Sequence, residues 1–315
     1  MSPMPSVFVS HGAPTFALEP GLAGAQLRAL GISLGKPRAV VVVSPHWMTH
    51  GIEITSTDRP ETVHDFGGFP RALYSLQYPT PGSPDLAVHI QQVLASQGIP
   101  ARLDARRGLD HGAWVPLMHL FPKADVPVVQ VSLPFDTDPA KALALGRALG
   151  PLTQSEVLIV GSGSLTHNLY EFRMGEVLEA HYAKEFSEWV RQAVLEGDMA
   201  RLEQTLEIAP HATRAHPTTE HFLPLLVAAG ASSIPTPVTV LNGGIQHGVL
   251  AMESYVFGCA LNVDAQASIL RKASTGSSEQ LLEQLAFRAF QGHEPQWLPS
   301  SSRAIETLTA LKPTL

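Results

Sequence analysis

Apolar residues gather in short valine- and isoleucine-rich runs: SVFVS (6–10), AVVVVSP (39–45), VPVVQVSL (126–133), EVLIVGSGS (156–164) and TPVTVLNGG (236–244). Runs of this length, bounded by Ser, Pro and Gly, predict strands. The four valines at 40–43 expect burial on both faces, with the run stopping at Ser44-Pro45. GIEITST (51–57) alternates instead and predicts an edge or antiparallel strand. Between the strands lie helical patterns. PDLAVHIQQVLASQ (84–97) opens on a proline suited to a first turn, and DPAKALALGRALG (138–150) opens on Asp138 as N-cap with Pro139 behind it. The 3–4 residue apolar spacing of 174–198 predicts one long helix, and 219–230 a shorter one capped by Thr219. Strands alternating with helices predict an α/β fold: a central mostly parallel or mixed sheet flanked by helices.

In such sheets ligands collect outside the carboxyl ends of the strands, so the residues that end each run matter most. They are His11-Gly12, His46-Trp47 and GSGSLTHNL (161–169), which carries His167. The last is not a dinucleotide fingerprint, because the third glycine would fall on Thr166. From residue 261 the chain changes character, with linker-like ASTGSSEQ (273–280) followed by an amphipathic stretch. The expected organisation is a catalytic domain over 1–260 and an extension over 261–315, packed on the body or on a partner subunit of a homo-oligomer.

Composition narrows the chemistry. Apolar residues make up 44% and charged residues 16%, ordinary values for a globular chain. A net charge of −7 argues against nucleic acid as partner. No apolar run approaches the ~20 residues of a membrane span, and the N-terminus does not read as a secretory signal. The single cysteine, Cys259, excludes an intrachain disulfide and a thiolate cluster, and points to a cytoplasmic setting. Any metal must therefore be held by imidazole and carboxylate. Of the 14 histidines, His11, His46, His64, His111, His167, His216 and His221 stand in unusual local settings. His50, His89, His119, His181, His211, His247 and His293 are expected to be structural or superficial. A lone histidine at a strand end is more often a hydrogen-bonded structural residue than a ligand; several together point to a histidine-rich metal site at the strand termini.

The segments SHGAPTFALE (10–19), VVVSPHWMT (41–49), VHDFGGFPRALYSLQYPTPGSP (63–84), LDHGAWVPL (109–117), VPVVQVSL (126–133), GSGSLTHNL (161–169) and HPTTEHFLPL (216–225) occur in this order. Together they resemble the class III extradiol ring-cleaving dioxygenases, in particular the DOPA-4,5-dioxygenase-like branch, over about residues 6–258. The resemblance implies one Fe(II) per subunit and a catechol, DOPA-like or otherwise substituted, cleaved with O2 to a muconic semialdehyde-type product. Carried over motif by motif, it implies His11, His46 and His221 as metal ligands, with Glu220 as the alternative to His221. It implies His167 as acid/base and His111 as the group stabilising bound oxygen or substrate. His64, Asp65, Phe69, Arg71 and Trp47 are the weaker substrate-binding candidates, with Phe66, Trp114 and Arg214 beside them. A Zn(II)-dependent hydrolase on the same imidazoles is the alternative reading, since Zn(II) also favours three histidines and a water; Zn(II) can also replace Fe(II) in a purified sample.

Overall fold

The valine and isoleucine runs become one eight-stranded mixed sheet. The computed structural model describes residues 3–174, 178–234, 236–264, 267–268 and 270. In chain order the strands are β1 (Ser6–Ser10), β2 (Ala39–Thr49), β3 (Ile52–Thr55), β4 (Ala101–Asp104), β5 (Val128–Pro134), β6 (Val157–Gly163), β7 (Val238–Leu241) and β8 (Ser254–Phe257). Their order in space is β4-β3-β5-β2-β6-β1-β8-β7. The central four, β5, β2, β6 and β1, run parallel. β3 is antiparallel to β5, and β8 is antiparallel to both β1 and β7. The alternating 51–57 segment thus forms an antiparallel strand near the sheet edge, as its pattern predicts.

The main helices are α1 (Gly21–Leu34), α2 (Pro84–Ser96), α3 (His111–Leu120), α4 (Pro139–Leu149), α5 (His181–Glu196) and α6 (Leu223–Ala231). Asp138 caps α4 by accepting from Lys141 N, and Ser83 caps α2 by accepting from Leu86 N. On β6, Gly161 and Gly163 lie beneath the segment that leads into α6, whereas Ser162 between them bonds Gly112 of α3. With the two-residue period of a strand, α3 and α6 therefore cover opposite faces of the sheet. That is why Val40–Val43 are fully buried on both sides.

Three expectations need correction. β2 does not stop at Ser44-Pro45 but runs to Thr49. Its register against β5 jumps from Val43↔Val131 to Met48↔Leu133, so the ladder opens around Pro45, which has no N–H to donate, and closes again beyond it. The helix predicted from 174 begins at His181; Leu178–Ala180 are not helical, and Leu178 is 96% exposed, so its apolar side chain marks no core-facing stripe. The helix predicted from 219 begins at Leu223 with Pro224 in its first turn, and 219–222 form a turn closed by Phe222 N→Thr219 O at 3.0 Å. Among the elements that went unforeseen are α1, whose three glycines dilute its helical signal, and the four-residue strands β4 and β8. Most of the expected extension from residue 261 lies outside the described residues. Among the described residues no helix is long and apolar enough to cross a membrane.

Candidate active site

Five imidazoles converge at the carboxyl ends of the central strands. His11 follows β1 directly, His46 sits in the opened stretch of β2, and His167 follows β6 by a short turn. His111 is the first residue of α3, and His221 lies in the turn before α6. The opened stretch is tied down by Ser44, whose Oγ donates to Asp110 Oδ1 (2.8 Å) and accepts from His46 N (3.3 Å). Asp110 Oδ1 also caps α3 through Ala113 N (3.1 Å), so one buried carboxylate links the His46 segment to the His111 helix. Burial pushes the Asp110 carboxyl up, and the nearby Asp65 carboxylate adds to that, while hydrogen bonds from Gln130 and Ser44 oppose it.

Tautomers follow from the partners of each ring. Ser162 donates its only hydroxyl proton to the Gly112 carbonyl, so at 3.1 Å it must accept from His11 Nδ1–H. A neutral His11 therefore carries its lone pair on Nε2. His221 Nδ1 lies 2.9 Å from Glu220 Oε1, an oxygen that also takes the Thr218 hydroxyl at 2.9 Å. A carboxylate accepts only, so His221 is also Nδ1–H, and its buried Nε2 is left with no partner among the described residues. His46 Nδ1 is 3.6 Å from Asp65 Oδ2, which favours the same tautomer, and its Nε2 lies 3.2 Å from His11 Nε2. One nitrogen from each of these three rings lies within 4.8 Å of the others. Burial, then the neighbouring imidazoles, holds His11 and His221 well below the usual histidine range, and takes His46 to about 3. Three neutral imidazoles presenting lone pairs to one point, one of them otherwise unpartnered in the protein interior, fit a divalent transition-metal ion.

His111 and His167 flank this trio. His111 Nδ1 is 3.0 Å from Asp65 Oδ2, and its backbone N–H donates to Asp65 Oδ1 at 2.8 Å. Burial alone would raise the Asp65 carboxyl, but the His111 ring and backbone N–H outweigh it and bring it down to about 2. The His111 and His46 rings are 4.0 Å apart. His167 stacks on His221 with centroids 3.5 Å apart and planes 9° apart, and its backbone N–H donates to Ala215 O. Burial lowers its pKa to about 4, against a raising pull from Glu220. Both rings neighbour the trio but belong to other groups of close donor atoms, His111 with His46 and Asp65, and His167 with Glu220 and His221.

The remaining predicted residues divide. Asp65 belongs to the site, though it contacts imidazoles. Phe66 lies edge-on to His111 at 5.6 Å and to Phe69 at 5.7 Å, forming an aromatic wall beside the cluster. Arg71 is exposed at the start of the single helical turn Arg71–Tyr74, with no ion pair among the described residues. His64 donates from Nε2 to Leu76 O (3.0 Å) and packs among Phe66, Tyr74 and Trp114, with no contact to the trio. Trp47 is buried, with the Arg107 guanidinium 5.5 Å from its ring. Trp114 is core, its Nε1 bonded to Val63 O. Arg214 pairs with Glu171 through two bonds of 2.8 and 2.9 Å, and His216 is buried against Leu165 O; neither joins the site. His50 packs on Phe135. Sequence reasoning missed Ser162 and Asp110. The available signals were a serine between two glycines that need close approach, and the N-cap pattern of LDHGA.

Comparison with known proteins agrees with this geometry. The family described as the catalytic LigB subunit of aromatic ring-opening dioxygenase matches residues 20–258. A 4,5-DOPA dioxygenase extradiol of Escherichia coli K12 is 38% identical over 259 residues, covering 81% of this chain and 95% of the relative. Its counterpart from Beta vulgaris is 38% identical over 254 residues, covering 79% and 95%. Among solved structures, an uncharacterised protein of Escherichia coli K12 superposes with a TM-score of 0.68 at 33% identity, over 81% of this chain and 100% of that one.

Proposed function

This chain belongs to the LigB family of aromatic ring-opening dioxygenases and is an extradiol ring-cleaving enzyme; on that premise we propose that it opens a DOPA-like or otherwise substituted catechol with O2, using Fe(II) held by His11, His46 and His221. The observation that carries the ligand set is the shared arrangement of the three rings. Each turns Nδ1 toward an oxygen acceptor, Ser162, Asp65 or Glu220, and each points Nε2 inward. Glu220 serves as the support behind His221, which favours the histidine over the carboxylate as third ligand.

When bound, the ferrous ion supplies the Lewis acidity and redox capacity that let a catecholate react with dioxygen. The protein's own groups do the rest. His167 is neutral at pH 7 and takes a catechol proton at a ring nitrogen, returning it as the ring opens. Its stack against His221 keeps it beside the ligand set without belonging to it. His111, held beside Asp65 by its backbone N–H and by the ring's approach to the carboxylate, would stabilise the substrate or dioxygen next to the ligand set. Phe66 and Phe69 flank the substrate ring, and Arg71 on the same loop anchors a carboxylate substituent.

The test is oxygen uptake by enzyme loaded with Fe(II) under anaerobic conditions, screened against substituted catechols with absorbance recorded. Oxygen consumption equimolar with catechol and a yellow semialdehyde product are expected. Ester or amide hydrolysis by the Zn(II) form, with no oxygen uptake by the Fe(II) form, would replace this reading with the hydrolase.

A further inference from the structure

The carboxylate of Asp65 is placed where one side chain serves two imidazoles with different tasks. It sits on the loop that carries Phe66 and Phe69, near two glycines, Gly67 and Gly68, at which an added Cβ would meet nothing within 4 Å. A loop of that kind would not by itself fix a side chain. Asp65 is fixed from the other side: its Oδ1 accepts the backbone N–H of His111 at 2.8 Å, at the first turn of α3, where the unpaired amides of a helix favour negative charge. That bond turns Oδ2 to the gap between two rings, 3.0 Å from His111 Nδ1 and 3.6 Å from His46 Nδ1. Among the described residues Asp65 is the one carboxylate in ion-pair range of either nitrogen, and His111 Nδ1 has no hydrogen-bond partner there.

We propose that Asp65 is a positioning residue that orients His46 toward the metal and His111 toward the substrate at once. The inference rests on the reading above that His46 is a ligand. At 3.6 Å the His46 contact is longer than a hydrogen bond, and the His111 contact at 3.0 Å is close without hydrogen-bond alignment. A carboxylate this near can still only accept, so it favours Nδ1–H in both rings and leaves both Nε2 atoms for their tasks. It also sets the rings' separation, since both must reach one oxygen. His11 and His221 have their own supports, Ser162 and Glu220, and depend on Asp65 for nothing. Asp65 is thus the single support through which a ligand and a substrate-side group are held in one register.

Asp65→Asn tests this, with Asp65→Glu as the conservative variant and His46→Ala as the control on the underlying reading. Co(II) is titrated into metal-free protein against a competing chelator, its d–d absorption is recorded, and Fe(II)-loaded turnover of catechol is measured. The expected D65N protein keeps its melting temperature, binds Co(II) roughly 10–100-fold more weakly and shows an altered d–d band. Its kcat falls while KM for catechol stays within about three-fold, and D65E recovers most of both losses. Unchanged Co(II) affinity and kcat in D65N, alongside lost binding in H46A, overturn the role of Asp65 and leave the ligand set standing. Equal losses in D65N and D65E with a lowered melting temperature also overturn it, because the residue then serves only the fold. Unaltered Co(II) affinity in H46A overturns the ligand reading itself, and the Asp65 role with it.

Discussion

The roles assigned to individual side chains separate metal retention from turnover. His167 stacks on His221 and lies outside the group of His11, His46 and His221, so on the proposed ligand set it does not hold the metal. The expected outcome for His167→Ala is near-normal Fe(II) content with kcat reduced by roughly 10²–10⁴, the range for loss of a general acid/base; metal analysis beside single-turnover kinetics checks it, and wild-type turnover would remove His167 from the mechanism. Arg71 makes the opposite kind of prediction. Exposed and with no ion pair among the described residues, it can be lost at little cost to the fold, so Arg71→Ala should raise KM for a carboxylate-bearing catechol by about ten-fold while leaving unsubstituted catechol unaffected. Equal effects on both substrates would place Arg71 outside the binding site. The five converging histidines were among the seven whose local settings stood out in the sequence, and the family resemblance selected them from the seven. What Asp65, Glu220 and Ser162 do was not legible, because a tautomer is set by partners that the fold alone brings together. Ser162 reaches His11 from 151 positions away in the chain.

At the scale of elements, the site depends on close approach. Glycines at 161 and 163 on β6 let the turn carrying His221 and the start of α6 settle directly on the sheet; a Cβ at Gly161 would run into the Pro224 carbonyl, and one at Gly163 into the His221 carbonyl. Gly161→Ala should therefore cost about 1–3 kcal/mol of stability and weaken metal binding by displacing His221. A melting curve with a parallel metal titration measures both, and a variant matching wild type in the two would show that α6 does not position the ligand. Gly112 plays the same part at the head of α3, where a Cβ would meet Ser44 Oγ and the His46 ring. Sequence pattern located β1, β2, β5 and β6 well because their apolar runs are continuous. It misplaced the starts of α5 and α6 because apolar residues continue through 178–180 and 219–222, where the chain forms no helix. It ended β2 too early because Pro45 breaks a ladder without ending the strand; the break is what frees His46 from regular pairing.

Across the whole molecule, burying so many neutral imidazoles has a consequence for acid stability. His119, half-buried, and His216, buried, are structural residues held at about 4, chiefly by loss of solvent, and neither belongs to the proposed metal site. The unfolded chain binds a proton at each near pH 6.5, whereas the folded chain does not until about pH 4. Between those values the unfolded state holds more protons, so each histidine removes about 1.4 kcal/mol of stability per pH unit as the pH falls. Below pH 4 the loss levels off. Asp65, held at about 2, keeps its contribution throughout that window. Metal-free protein should therefore melt at progressively lower temperature from pH 7 to pH 5, and replacing His119 and His216 by glutamine should flatten the slope. A melting temperature independent of pH over that range would show that these rings take up protons without unfolding.

The central claim is that three imidazoles at the ends of the parallel strands hold a metal at which a catechol ring is opened by dioxygen. Isotope labelling tests it most directly: enzyme loaded with Fe(II) turns over a catechol under ¹⁸O2, and the product is analysed by mass spectrometry beside His46→Ala and His221→Ala. The predicted result is a ring-opened semialdehyde whose carboxylate carries oxygen from O2, formed by the wild type and by neither variant. A product free of label, or labelled product formed equally by the two variants, would contradict it.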